Sequence, residues 1–103
     1  MLFRSNFNAE TQFLIAECYE ESGDTDQAIP EYLKVKYLYP EILPWSGRAQ
    51  LRAATLFEGK QRWKDAAKIY EELILKKRGE AKYARERLDW MEKNVPVKIL
   101  EVD

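Results

Sequence analysis

The chain has 103 residues, 46% hydrophobic and 34% charged, with four glycines, four prolines and a formal net charge of −1. This composition excludes a disordered or collagen-like chain, and a folded unit of this length buries roughly 65% of its unfolded surface. Histidine is absent and Cys18 is the only cysteine, so an internal disulfide, Ser/His or Cys/His acyl transfer and Cys/His zinc are all excluded.

Met1-Leu2-Phe3 is followed at once by Arg4, Ser5 and Asn6, which does not read as a signal peptide. No apolar run approaches the ~18 residues of a membrane span. From there apolar residues recur at three- and four-residue intervals, as helices require. Phe13, Ile15, Ala16 and Tyr19 mark a helix near 9–22; Gly23-Asp24-Thr25 ends it and caps the next. Ile29, Tyr32, Leu33 and Val35 mark a second near 26–39, with Pro30 placed within about its first turn, where a proline costs little. The stretch from Pro40 through Pro44 to Gly47 is a long turn. Leu51, Ala54, Leu56 and Phe57 then mark a helix near 47–60, and Ala66, Ile69, Tyr70 and Leu73 one near 63–78. Gly79 precedes a fifth helix near 80–94, whose Ala81, Ala84, Leu88 and Met91 share a face. Val95-Pro96-Val97 favours an extended tail over 95–103.

The chain also repeats itself. Tyr19, Ala28 and Tyr32 are matched by Phe57, Ala66 and Tyr70, each 38 residues on. The first unit reads Gln12-x-x-Ile15-Ala16-x-x-Tyr19, Gly23, Ala28-x-x-x-Tyr32, Pro40; the second reads Gln50-x-x-Ala53-Ala54-x-x-Phe57, Ala66-x-x-x-Tyr70. Periods of 20–50 residues signal a solenoid. This pattern resembles the tetratricopeptide repeat (TPR) family over residues 9 to about 94. The resemblance implies an all-α TPR-type solenoid with repeats at about 9–42 and 47–79 and a capping helix at 80–94. Gln12 and Gln50 stand where the family often has tryptophan, and Gln61, Leu73 and Arg78 replace its usual glycine, alanine and proline. The four residues beyond the standard ~34-residue period fit the turn holding Pro44, Trp45 and Ser46. That turn, with Ala81-Lys82-Tyr83-Ala84-Arg85-Glu86-Arg87-Leu88, is similar to the bacterial envelope subset, which includes the Tol-Pal-associated coordinator and the barrel-assembly lipoprotein. The subset resemblance implies a periplasmic or envelope location; without it the location is cytoplasmic.

The family's groove positions fall on Glu10, Phe13, Glu17 and Glu20 in the first unit and on Arg48, Leu51, Thr55 and Glu58 in the second, with Arg52 alongside. The resemblance implies a non-catalytic module that binds a peptide or protein there. Otherwise these are solvated positions, with Phe13 packed on residues 1–8. The lysines and asparagines of the chaperone-binding carboxylate clamp are not at these positions. Glu17/Glu20/Glu21 and Glu71/Glu72 read as helix surface rather than glycosidase pairs. Lys76-Lys77-Arg78 closes a helix, where the dipole favours cations, and no basic stripe for nucleic acid accompanies it. No cofactor and no metal are expected. Trp45 and Trp90 mark an interface if exposed and pack under a neighbouring helix if not. Cys18 is expected to be buried.

The first 33 residues carry a net −6 and the remainder +5. Leu2, Phe3 and Phe7 either fold back on the first helix or meet a preceding repeat. With that charge split, Phe3 and Phe7 are the expected contacts of a weak homodimer, the alternative role being a structural segment that self-associates through its repeat ends.

Overall fold

The computed structural model describes residues 7–96, which fold into five helices: α1 (Ala9–Glu21), α2 (Thr25–Leu38), α3 (Trp45–Gly59), α4 (Trp63–Lys76) and α5 (Ala81–Asn94). The chain is all-α and divides into two compact units, Met1–Ala53 and Ala54–Asp103, the division falling inside α3. Phe3 and residues 97–103 of the expected tail lie outside the described residues.

In the first unit, α1 and α2 form a helical hairpin. Asn8 caps α1, its side chain accepting from Thr11 N–H at 3.0 Å, and Asp24 caps α2 by accepting from Gln27 N–H at 3.1 Å. Between them Gly23 takes φ +85, a left-handed conformation in which a Cβ is strained. Its N–H reaches Glu20 O and the Asp24 N–H reaches Tyr19 O, closing the α1 C-terminus. The core is Ala9, Phe13, Ala16, Ala28, Ile29, Tyr32 and Val35, with small residues where the two backbones approach and Tyr32 filling the space beside them. Gln12 is buried as well; its amide donates to the Glu31 carbonyl and carboxylate at 2.9 and 2.7 Å. Because α2 begins at Thr25, Pro30 is its sixth residue, in the second turn rather than the first. It lies exposed there and leaves one ladder bond unmade.

α3 starts two residues earlier than its apolar spacing predicts. Ser46 N–H bonds Ile42 O and Arg48 N–H bonds Pro44 O, so the end of the long turn winds directly into the helix. In the second unit α4 packs on α5, around Ala66, Ile69, Tyr70, Leu73, Ala81, Ala84 and Met91. The turn before α4 copies the one before α2: Gln61 N–H bonds Glu58 O and Arg62 N–H bonds Phe57 O. Gln61 accordingly takes φ 61, the left-handed position that Gly23 fills in the first unit. Lys77 takes φ 55 and ends α4 at Lys76, before the predicted 78. Val95 is extended, as a residue before proline should be. Its side chain is nonetheless buried, so packing continues one residue beyond α5.

One expectation about α1 is overturned: Cys18 is exposed rather than buried. Its neighbour Tyr19 is 37% exposed, and Leu14 is exposed as well.

Candidate functional site

Most of the expected groove residues of the first unit are engaged with one another. Phe13 is only 5% exposed. Its ring lies 5.3 Å from Tyr32, edge on, and 5.3 Å from Trp45, brought over it by the early start of α3. It is therefore the floor of the α1–α3 face, and Trp45 its rim. The Arg52 guanidinium lies over Phe13 and Tyr32, at 5.8 and 5.4 Å.

Beneath that guanidinium is a carboxylate bracket. Tyr32 OH donates to Glu20 Oε1 at 2.6 Å, and Arg52 Nε and Nη2 donate to the same oxygen at 3.1 and 2.7 Å. The remaining Arg52 nitrogen lies 3.6 Å from Glu17. Burial, and then the bond to Glu20, push the Tyr32 hydroxyl above the ordinary phenol range. Burial pulls the Arg52 pKa down, but its bond to Glu20 and the surrounding charges outweigh this and raise it.

The second unit repeats the bracket with better geometry. Tyr70 OH donates to Glu58 Oε2 at 2.6 Å, Arg87 Nε donates to that oxygen at 3.1 Å, and Arg87 Nη2 donates to Glu58 Oε1. This is a two-pronged pair, the strongest form of Arg–carboxylate contact. Burial, and then the Glu58 bond, raise the Tyr70 pKa, and the Glu58 bond raises that of Arg87. Arg87 also stacks over Trp90 at 4.6 Å, and Trp90 faces Trp63 at 6.1 Å while staying 41% exposed.

Glu58 thus anchors a helix junction, a role its groove position did not predict. Arg87 is a residue the sequence reading missed. Glu and Tyr recur at 38 residues, but Arg52 and Arg87 are 35 apart, because the connection before α5 is two residues shorter and Arg87 sits one place earlier in its helix, which hides the third member from a fixed-period comparison.

Of the expected groove residues, Glu10, Arg48 and Thr55 are exposed, and Leu51 is half-buried. Arg48 lies over the Trp45 ring at 5.3 Å and, among the described residues, has no carboxylate partner. Trp45, half-buried, pairs this cation with an apolar surface. Elsewhere in the second unit, α4 and α5 flank an open cleft of about 450 Å³. Its walls mix Lys64, Lys68 and Arg85 with Glu71, Asp89 and Glu92 over Ala67, Leu88 and Met91. No helix among the described residues is long and apolar enough to cross a membrane.

No curated protein and no solved structure matches the chain. The tetratricopeptide repeat family matches residues 10–41 and 48–76, the two segments that carry the repeated helices and both bracket glutamates. With more than half of its length matched, the chain belongs to the tetratricopeptide repeat family.

Proposed function

We propose that the chain is a non-catalytic interaction module whose first unit takes a peptide or protein segment on the α1–α3 face, the segment bringing a carboxylate to Arg48 and an apolar side chain to Trp45. Repeats of this family generally mediate protein–protein contacts. The observation that carries the reading is the contrast between two arginines one helical turn apart. Arg52 is spent on Glu17 and Glu20, whereas Arg48 is exposed on an aromatic ring with its donors turned to solvent. An arginine preorganised on tryptophan, next to apolar area, is the composition of a binding hot spot, and Glu10 adds an acidic contact at the start of α1. Phe13, Glu17, Glu20 and Arg52 support this face from below.

Random peptides displayed on phage and selected on the whole chain test the reading. Selected peptides should carry Asp or Glu near an apolar residue. Arg48→Glu should weaken them at least about tenfold, as loss of a charged hot spot does, while Lys68→Glu leaves them unchanged. Peptides insensitive to Arg48→Glu and Trp45→Ala would overturn it.

The α2–α3 connection and the helix beginning at Ala81 support a place in the bacterial envelope subset, and with it a periplasmic or envelope location. Asp89, Glu92 and Lys93 stand 35 residues beyond Ala54, Phe57 and Glu58, and this charged face supports α5 as the cap of the array. A second role, as a structural segment that self-associates, is favoured by the exposed side of α1.

A further inference from the structure

The end of the second unit at the α4–α5 connection carries charge that helix electrostatics does not explain. Residues 75–84 hold four bases, Lys76, Lys77, Arg78 and Lys82, against one acid, Glu80, whose Oε1 is enclosed in the protein. Lys76, Lys77 and Lys82 are exposed, and among the described residues none of the three has an ion-pair partner. The helix dipole favours a cation at the C-terminus of α4, which accounts for Lys76. It opposes Lys82, which stands in the first turn of α5, where there is no acid and no side-chain cap bond. Lys77 is opposed by its backbone, since φ 55 is the left-handed conformation that glycine adopts at less cost. Two of the three lysines therefore occupy places where local structure favours another residue. Directly before them Leu75 is 79% exposed, more than any other large apolar side chain among the described residues.

We propose that this end of the α4–α5 hairpin docks on an anionic phospholipid bilayer, its lysines meeting the headgroups and Leu75 entering the interface. It is independent of the Arg48 face. Charge complementarity calls for an anionic partner, and three features select a bilayer over an acidic protein. The free cations are all lysine, a hydrated point charge suited to a diffuse negative field. The planar fork that would grip a single carboxylate or phosphate, Arg78, is half-buried and already engaged. Leu75, Lys76, Lys77 and Lys82 also lie outside the α4–α5 cleft, on an exposed hairpin end without the concave walls of a ligand site. A bilayer needs no such walls: it yields to an apolar side chain while lysines keep their ammonium groups among the headgroups. Lys77 N–H bonds Ile74 O and Ala81 N–H bonds Arg78 O, so the connection is held in shape before it docks. Each lysine near an anionic surface contributes about fivefold in affinity. Three of them with one leucine give weak, reversible docking, half-complete at on the order of 0.1–1 mM lipid.

Co-sedimentation of the whole chain with vesicles tests the proposal. Vesicles of phosphatidylcholine with about one-third phosphatidylserine should carry the protein down at low salt. Binding should fall steeply toward about 1 M salt, where the screening length is only about 3 Å. Lys76→Glu together with Lys82→Glu should weaken it at least about twenty-fivefold, and Leu75→Ser about tenfold, with helical circular dichroism unchanged. Lys93→Glu makes the same charge change about 16 Å along α5 from Lys82 and should alter binding less than about twofold. Lys77→Gly separates docking from folding. It removes a cation and a left-handed lysine at once, so it should weaken docking about fivefold while raising the thermal midpoint. Equal sedimentation with pure phosphatidylcholine, no sedimentation with either vesicle, or full binding by the Lys76→Glu, Lys82→Glu variant would overturn the proposal. Binding to soluble polyglutamate but not to vesicles would overturn the bilayer and assign this end to an acidic protein segment.

Discussion

Tyr70→Phe isolates the energetic weight of the second bracket. The substitution removes one oxygen and keeps the ring, which is fully buried, so it opens no cavity of consequence. What is lost is an O–H···O⁻ bond of 2.6 Å to a carboxylate whose side chain is only 12% exposed. Hydrogen bonds to charged groups contribute about 1.5–3 kcal/mol. Glu58 keeps its two contacts to Arg87, so the lower half of that range, about 1.5–2 kcal/mol, is expected. Tyr32→Phe makes the same change where Glu20 is 29% exposed and water can replace the lost donor, so about 1 kcal/mol is expected. Urea denaturation followed by circular dichroism measures both. A double-mutant cycle of Tyr70→Phe with Arg87→Met should return a coupling of about 0.5–1.5 kcal/mol, since both donors share one carboxylate. If Tyr70→Phe unfolds at the wild-type midpoint, or if Tyr32→Phe is the more damaging, the bracket does not hold the helices as argued.

The paired turns make a reciprocal prediction: Gly23→Ala should destabilise by about 1 kcal/mol and Gln61→Gly should stabilise by a similar amount, because left-handed backbone costs an L-residue about 1–2 kcal/mol, less the entropy glycine adds to the unfolded chain. Nothing lies within 4 Å of a Cβ built at Gly23, so thermal melts of the two variants read conformational strain and not a clash. Ala66, fully buried in α4, should not accept a larger side chain: Ala66→Leu is expected to cost about 1–3 kcal/mol in the same assay, and an unchanged melt would put the repeat register in error. Tyr32 and Tyr70 have folded-state pKa values raised above the unfolded value of about 10, so their stabilisation is complete below that pH and is lost as pH rises beyond it. Stability should be flat from about pH 7 to 9 and fall above about 10, and in a phenolate absorbance titration two of the six tyrosines should ionise only on unfolding.

The helices and their pairing were legible in the amino-acid order because their causes are local. Three- and four-residue apolar spacing, Gly23 ending one helix and Asp24 capping the next each act over a few residues of chain, and the alanines repeated at 38 residues show the same local pattern twice. The family resemblance drew on the same signals. The candidate site was less legible. Its groove positions came from a register that says which side of a helix a residue occupies, not what that side touches. Phe13 was expected in the groove and became its floor, because α3 begins early enough to lay Trp45 across it. Glu20 and Glu58 were expected to face a ligand, but each is held by a tyrosine 12 residues away and by an arginine 32 or 29 residues away. Such contacts depend on where a later helix comes to rest, and unequal connections put the two arginines out of step with the repeat. Cys18 makes the same point from the other direction. Its type suits a core, but burial needs a neighbour on that side of α1, which residue type alone cannot supply. Local chemistry in the sequence determined the elements and their repeat; only the tertiary structure decided which charges neutralise one another and which, like Arg48, stay open to solvent.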